Sequence, residues 1–271
     1  IRNPLGMIGR SIDAKSHVIH IKNFNLLQID HCFRDDLSIH VNPIFDGLAA
    51  ALGSLSKDDQ DLGVMFIDVG ADKTNMLLYK DNYLIHSKVI PIGSKSVTKD
   101  IAAYLQTSIK RAESIKHEHV SALSDFADPE SNFELPIEND DLTKSINQKE
   151  ISEIAELRYE DIIDQIKSEM KLLRMNISDI RSGIKITGGG SNVRNLDLLF
   201  KKHFEDTKCE YLSINNTVFK ENLEDRRELS TLIGLLSWPI FNTEDSSPTV
   251  GVKNFKSITK NISSIWKGFF E

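Results

Sequence analysis

Residues 183–193 read Gly183-Ile184-Lys185-Ile186-Thr187-Gly188-Gly189-Gly190-Ser191-Asn192-Val193, and the next stretch, 195–204, carries helical spacing. A short apolar run that breaks into consecutive glycines and reopens as a helix is a strand–turn–helix unit. Glycine lets backbone N–H groups approach a ligand with no Cβ in the way. The helix start adds a partial positive charge, so the unit is built to face a phosphate or a nucleoside.

Upstream lies a second unit of the same kind. Gly63-Val64-Met65-Phe66-Ile67-Asp68-Val69-Gly70 is an apolar strand ending in a turn, and residues 75–79 and 83–92 resume as two strands joined around Lys80-Asp81-Asn82. The pattern predicts a three-strand meander with a loop at its first corner. Between the two units, 97–117 is expected to be helical with a break at Gln106-Thr107, and 148–175 to be one long amphipathic helix. Residues 118–147 are acidic and polar; they read either as a disordered stretch or, from the alternation over 132–137, as a small hairpin. A short strand is expected at 209–213 and a helix over 228–238 closed by Pro239, with linker composition from 240 to 251.

At the other end, 16–22 alternates polar and apolar residues, 24–34 has helical spacing and 37–41 alternates again, which predicts a small β-α-β element. Residues 44–55, rich in Ala and Leu after Pro43, form one helix. The chain opens at Ile1 without a methionine, and we expect a portion upstream of it.

Composition narrows the function classes. With 271 residues, 40% hydrophobic and 27% charged, the chain can bury a core. Lys+Arg 33 against Asp+Glu 40 gives a net charge of -7, which argues against a nucleic-acid partner. The two cysteines, Cys32 and Cys209, stand apart with no CxxC or paired His, and both are expected to be buried small hydrophobes. No run approaches the roughly 18 apolar residues of a membrane-spanning helix.

The last twenty residues, VKNFKSITKNISSIWKGFFE, behave differently. On a helix, Val252, Phe255, Ile258, Ile262, Ile265, Trp266, Phe269 and Phe270 fall within an arc of roughly 140°, while Lys253, Lys256, Lys260 and Lys267 gather opposite. An apolar, aromatic face backed by lysines is the profile of a helix lying in a membrane interface; the alternative is a terminal helix docked on its own protein. Against an anionic leaflet the lysines contribute roughly 3–4 kcal/mol in all. Such an anchor is reversible singly and gains avidity in a polymer.

The two glycine turns, each after a strand and separated by a helical insert, resemble the second half of the ATPase fold shared by actin and the heat-shock chaperones. Six stretches are similar, in order, to the bacterial cell-division family FtsA: Ile1–Gly9 to its "KNPxGxxG", Ile44–Ala49 to the helix returning from its inserted subdomain, Lys88–Pro91 with Val97–Ala102 to "KVIP…VTxDIA", Gly183–Gly189 to "GIVLTGG", Ser230–Leu236 to the last helix of the fold, and the amphipathic terminus to its membrane-targeting sequence. The resemblance implies an actin-like (ribonuclease H-like) α/β ATPase fold with the second lobe complete and the first partial. Residues 1–43 would be part of an inserted SHS2-type subdomain; 44–60 and 226–238 a remnant of the first lobe; 61–106 and 177–225 the second-lobe core; 107–176 a small partner-binding subdomain; 239–251 a linker; and 252–271 the membrane helix.

The same resemblance implies ATP and Mg²⁺ as cofactors. Gly188, Gly189 and Gly190 would lie under the adenosine, with Glu113 and Lys116 reaching the sugar and base; otherwise that pair is a solvated helix pair. Asp68, Gly70, Lys73 and Thr74 would handle the phosphates, and Asp68 the metal. This second phosphate loop departs from the family's "DIGGGTxD": Ala71 and Asp72 replace two glycines, Lys73 the threonine and Asn75 the aspartate. Side chains there hinder backbone approach and a carboxylate repels phosphate. Lys73 compensates as a point charge, or Asp68 and Asp72 favour Mg²⁺, or the loop has drifted from γ-phosphate work. Any ATPase activity is expected to be weak.

Arg158 and Asp161, in Arg158-Tyr159-Glu160-Asp161, match the family's "RYxE" and would contact the C-terminal peptide of the tubulin-like protein FtsZ; otherwise they form a solvated helix start. The implied job is a scaffold that polymerises on the cytoplasmic face of the inner membrane at the division site. Phe255, Ile258, Ile262, Ile265, Trp266, Phe269, Phe270, Lys256, Lys260 and Lys267 would hold it to anionic lipid while it tethers FtsZ filaments and meets other divisome proteins. The rivals are a pilus-assembly actin homologue, which would lack the lysine-faced tail, and a small-molecule kinase, which needs a catalytic carboxylate in a substrate pocket.

Overall fold

The computed structural model describes residues 6, 8, 10, 11, 13, 15–37, 42–136, 143–176, 179–205, 207–214, 223 and 225–241. Its centre is β1 (Val64–Val69), every residue of which is buried. A strand covered on both faces needs no polar alternation, and β1 feeds two cores: Met65, Ile67 and Val69 point to one, Val64 and Phe66 to the other.

β2 (Thr74–Lys80) and β3 (Tyr83–Ile90) continue antiparallel from β1. The turn between them places Asp81 at φ 54° and Asn82 at φ 65°. Two left-handed residues in a two-residue loop suit the twist of a hairpin, and Asp and Asn tolerate that conformation best among non-glycines. β6 (Ile184–Thr187) lies parallel on the other side of β1, and β7 (Cys209–Tyr211) parallel beyond it, giving the order β3-β2-β1-β6-β7. β4 (Asn132–Pro136) and β5 (Thr143–Asn147) form a separate hairpin, so the acidic stretch takes the hairpin of the two readings above.

One face of the sheet carries α4 (Ser94–Leu105), α5 (Ile109–His119), α6 (Gln148–Leu172) and α7 (Leu196–His203). α6 starts where Asn147 accepts hydrogen bonds from the N–H groups of Lys149 and Glu150. Along it Ile151, Ala155, Tyr159, Ile162, Ile163, Ile166 and Met170 are buried, the helical stripe the sequence predicts, and the core runs on to Leu135 and Ile146 of the hairpin. The other face is covered by α2 (Asp46–Ser54), which packs against α8 (Ser230–Phe241). A Cβ on Gly53 would lie 2.1 Å from the Ser230 carbonyl oxygen and one on Gly234 would lie 1.7 Å from that of Ala49. These two helices therefore touch backbone to backbone.

Three expectations are corrected. Residues 16–22 pair with no strand among the described residues; a strand needs a ladder partner, and 38–41 lie outside the described residues. The helix that follows, α1 (Asn23–Leu37), leaves Cys32 exposed because little packs on it, and Cys209 is only partly buried because β7 is the last strand of the sheet; burial still pushes its thiol up to about 11. α8 runs through Pro239 to Phe241, since a proline near a helix end costs one hydrogen bond with little helix left to disrupt. The remaining short helix, α3 (Lys57–Leu62), leads into β1. Among the described residues, no helix is long and apolar enough to cross a membrane. The amphipathic terminus, 252–271, lies outside the described residues.

Candidate functional site

The parallel pairing of β1 with β6 sets Asp68 beside Thr187, so both strands end together and both turns emerge at the same edge. The carboxyl ends of parallel strands are where open α/β sheets place their ligands. Asp68 is 7% exposed and takes a hydrogen bond of 3.0 Å from the Asn75 side chain, its neighbour across the β1–β2 ladder. Burial pushes its carboxyl up from the ordinary value; Asn75 and Lys73 oppose that shift and Asp46 adds to it.

Gly188 turns the chain at φ 90°, where a Cβ would meet Asp68 Oδ1 at 2.4 Å and the Val69 carbonyl oxygen at 2.5 Å. Only glycine satisfies both the left-handed conformation and the close approach. Gly190 lies 2.8 Å, measured from a Cβ in its place, from the Gly70 carbonyl oxygen, and its own carbonyl accepts a hydrogen bond of 2.9 Å from the fully buried Tyr159 hydroxyl. That bond ties α6 to the glycine turn. Gly189 is the open member: a Cβ there would meet the Glu228 Cβ at 3.3 Å.

Facing this turn is the loop 70–73, closed by a hydrogen bond of 2.9 Å from the Gly70 N–H to the Lys73 carbonyl. The N–H groups of Ser94 and Lys95 donate to the carbonyls of Gly70 and Ala71 at 2.9 and 2.8 Å, so α4 braces the loop from behind. A cavity of about 440 Å³ opens between them. Its walls are the loop 70–73, Asp68, Gly188 with Gly189, the starts of α2 and α8 at Asp46, Ser230 and Thr231, and Glu228 in the turn just before α8.

Asp68, Gly70, Lys73, Gly188 and Gly189, singled out in the sequence, thus share one cleft. Gly190 packs behind the turn, and Thr74 is buried in β2 with its hydroxyl on the Ile92 carbonyl at 2.8 Å. Glu113 and Lys116 stand outside the cleft lining. Lys116 is 1% exposed, with its ammonium 2.8 Å from both Glu113 oxygens and 3.0 Å from the Thr98 hydroxyl, so the pair lies within α5 with its lysine buried, its carboxylate half-exposed, and Thr98 tying it to α4. Burial opposes ionisation of Glu113, yet the hydrogen bonds from Lys116 and Thr98 hold its carboxyl below the usual value. Arg158 bonds Asp100 at 2.7 Å and Asp161 at 2.9 Å, a partly exposed trio on α4 and α6.

Among the described residues, no group of three or more His, Cys, Asp or Glu could hold a metal ion. Sequence reasoning missed Asp46, which pairs with Lys73 at 2.7 Å, and the rim formed by Glu228, Ser230 and Thr231. Their positions at helix starts were legible, but their convergence on the cleft depends on the α2–α8 contact.

The model of the cell division protein FtsA family matches residues 65–234, which span both glycine turns and reach into the start of α8. The chain belongs to the FtsA family. Cell division protein FtsA of Pseudomonas aeruginosa is 31% identical over 200 residues, 71% of this chain and 46% of that protein. The FtsA of Buchnera aphidicola subsp. Baizongia pistaciae is 29% identical over 250 residues, 87% of this chain and 58% of that protein. The chain spans about half the length of the curated relatives it matches. Its fold is actin-like: MreB5 of Spiroplasma citri bound to ADP superposes with a TM-score of 0.63 at 19% identity, covering 90% of this chain and 68% of that one. The MamK double helical filament gives 0.57 at 15% identity, covering 84% and 66%. The paired glycine turns had pointed to the actin-like fold, and the six ordered stretches to the FtsA family.

Proposed function

We propose that this chain binds ATP in the cleft between its two glycine turns and serves cell division as a membrane-held, self-assembling scaffold for FtsZ filaments. The observation that carries the nucleotide reading is the meeting of loop 70–73 and the Gly188–Gly189 turn across one cavity at the ends of β1 and β6. Structural neighbours were solved with ADP and with AMPPNP, which supports a nucleotide in this fold. Lys73 is the cation that meets phosphate, and Asp68 the carboxylate that faces a Mg²⁺ ion carried in with it. The nucleotide acts chiefly as a conformational ligand, favouring the closed state by its differential affinity for it.

The lysine-backed terminus holds anionic lipid on the cytoplasmic face of the membrane at the division site, and copies assembled into a filament turn that weak hold into avidity. Arg158 and Asp161, exposed enough to be reached on α6, receive the FtsZ peptide, with further divisome proteins docking elsewhere. The family assignment and the filament-forming neighbour support this scaffold reading.

Titration of the chain with a fluorescent ATP analogue tests the cleft. The signal saturates and is competed by unlabelled nucleotide, and Gly189→Val, which fills the floor with little backbone displacement, weakens binding about tenfold or more. A flat response at millimolar analogue would remove nucleotide from the account.

A further inference from the structure

Acid residues dominate the cleft. Asp46, Asp68, Asp72 and Glu228 line it against Lys73, the one cation among the described lining residues. That cation is already engaged: Lys73 Nζ lies 2.9 Å from Oδ1 and 2.7 Å from Oδ2 of Asp46. Asp46 opens α2, where the positive end of the helix favours a carboxylate, so the pair is anchored on both sides of the cavity. Asp72 leans outward to Lys95 at 3.4 Å and Glu228 pairs with Arg226, while Asp46 pairs with Lys73 and the Lys73 charge acts on the Asp68 carboxyl.

A phosphate that reaches Lys73 shares its ammonium with the Asp46 carboxylate already paired to it, and comes to lie beside Asp46 and Asp68. Each phosphate added to a nucleotide brings about one more negative charge to that acidic end, where the buried Asp68 is poorly screened. The outermost phosphate therefore gains least and is repelled most.

Given that the cleft is a nucleotide site, as proposed above, we infer that it prefers a nucleoside diphosphate to the triphosphate, because Asp46 competes with a terminal phosphate for Lys73. Asp46 is then a specificity-determining residue. Replacing its carboxylate frees Lys73 and removes one repelling charge, so the triphosphate gains more than the diphosphate.

The test is displacement of a fluorescent ADP analogue from the chain by unlabelled ADP and by ATP, at one fixed free Mg²⁺ concentration. ADP competes about tenfold more tightly than ATP in the unaltered chain, and Asp46→Asn brings the ratio close to one, mainly by strengthening ATP. ATP binding as tightly as ADP in the unaltered chain would overturn the inference, and so would a ratio that Asp46→Asn leaves unchanged. If the labelled ADP does not bind at all, the nucleotide reading itself fails and the inference with it. Should Asp46→Asn lose its helical circular dichroism, the ratio in the unaltered chain decides alone.

Discussion

Asp68 lies near the end of β1, between Asn75 of β2 and the Gly188 turn, and its burial sets a cost that the fold carries at neutral pH. Its carboxyl holds a proton more tightly in the folded chain than in the unfolded one, because burial disfavours the charge. That contribution is fully present below the unfolded value and is lost as pH rises through the folded value; above both, the ionised Asp68 is a net penalty. The Oδ1 atom of Asn75 is buried without a hydrogen-bond partner beside it. Asp68→Asn removes the charge and supplies an amide able to donate to that oxygen. We expect the variant to be more stable than the parent by about 1 kcal/mol at neutral pH, with the gap closing toward pH 4, while phosphate-linked Mg²⁺ binding falls. Urea unfolding at the two pH values measures it, and a variant less stable at neutral pH would show that the ionised carboxylate is stabilised in a way burial alone does not describe. The need for glycine at 188 was legible in the sequence, since a strand running into three glycines announces close backbone approach. The Lys73–Asp46 pair was not, because its members lie 27 positions apart and meet only through the packing of α2.

At the scale of elements, the contact of α2 with α8 decides whether the cleft keeps its shape. Both helices begin at the cavity, and glycine lets their backbones touch. In an exposed helix Gly→Ala stabilises by about 1 kcal/mol. At Gly234 the sign reverses, because a Cβ would stand 1.7 Å from the Ala49 carbonyl oxygen and backbone cannot yield as a side chain does. We expect Gly234→Ala to cost about 2–3 kcal/mol, seen as a lower urea midpoint with nucleotide affinity reduced alongside; unchanged stability would mean that the two helices part without loss. Apolar periodicity had marked α6, the β1–β2–β3 meander and the break between α4 and α5, because each buries one face or two. Periodicity failed at 16–22: alternation shows that a segment is able to be half-buried, but a strand also needs a neighbour to bond. Cys32 failed for a related reason, since a helical pattern does not say whether anything packs on the helix.

At the scale of the whole molecule, the described residues build a five-stranded sheet with a core on each face and a polar cleft where β1 and β6 end, with the β4–β5 hairpin as a second, separate sheet. The mixed order, an antiparallel meander followed by two parallel strands, brings loops from distant parts of the chain to one edge. Residues 68–73 and 188–189 converge there because the strands before them are parallel neighbours, a pairing the sequence did not carry; only the family resemblance implied that the two turns share a ligand. How Glu113 and Lys116 are used was hidden, since a Glu and a Lys at helical spacing read the same whether solvated or, as here, closed over Thr98 between two helices. Hydrogen–deuterium exchange of the chain with and without ADP tests the central claim most directly. The account predicts slowed exchange at the amides of 70–74 and 188–193 and little change at β3 or the 132–147 hairpin. Protection confined to other segments, or none at saturating ADP, would contradict a nucleotide held between the two glycine turns.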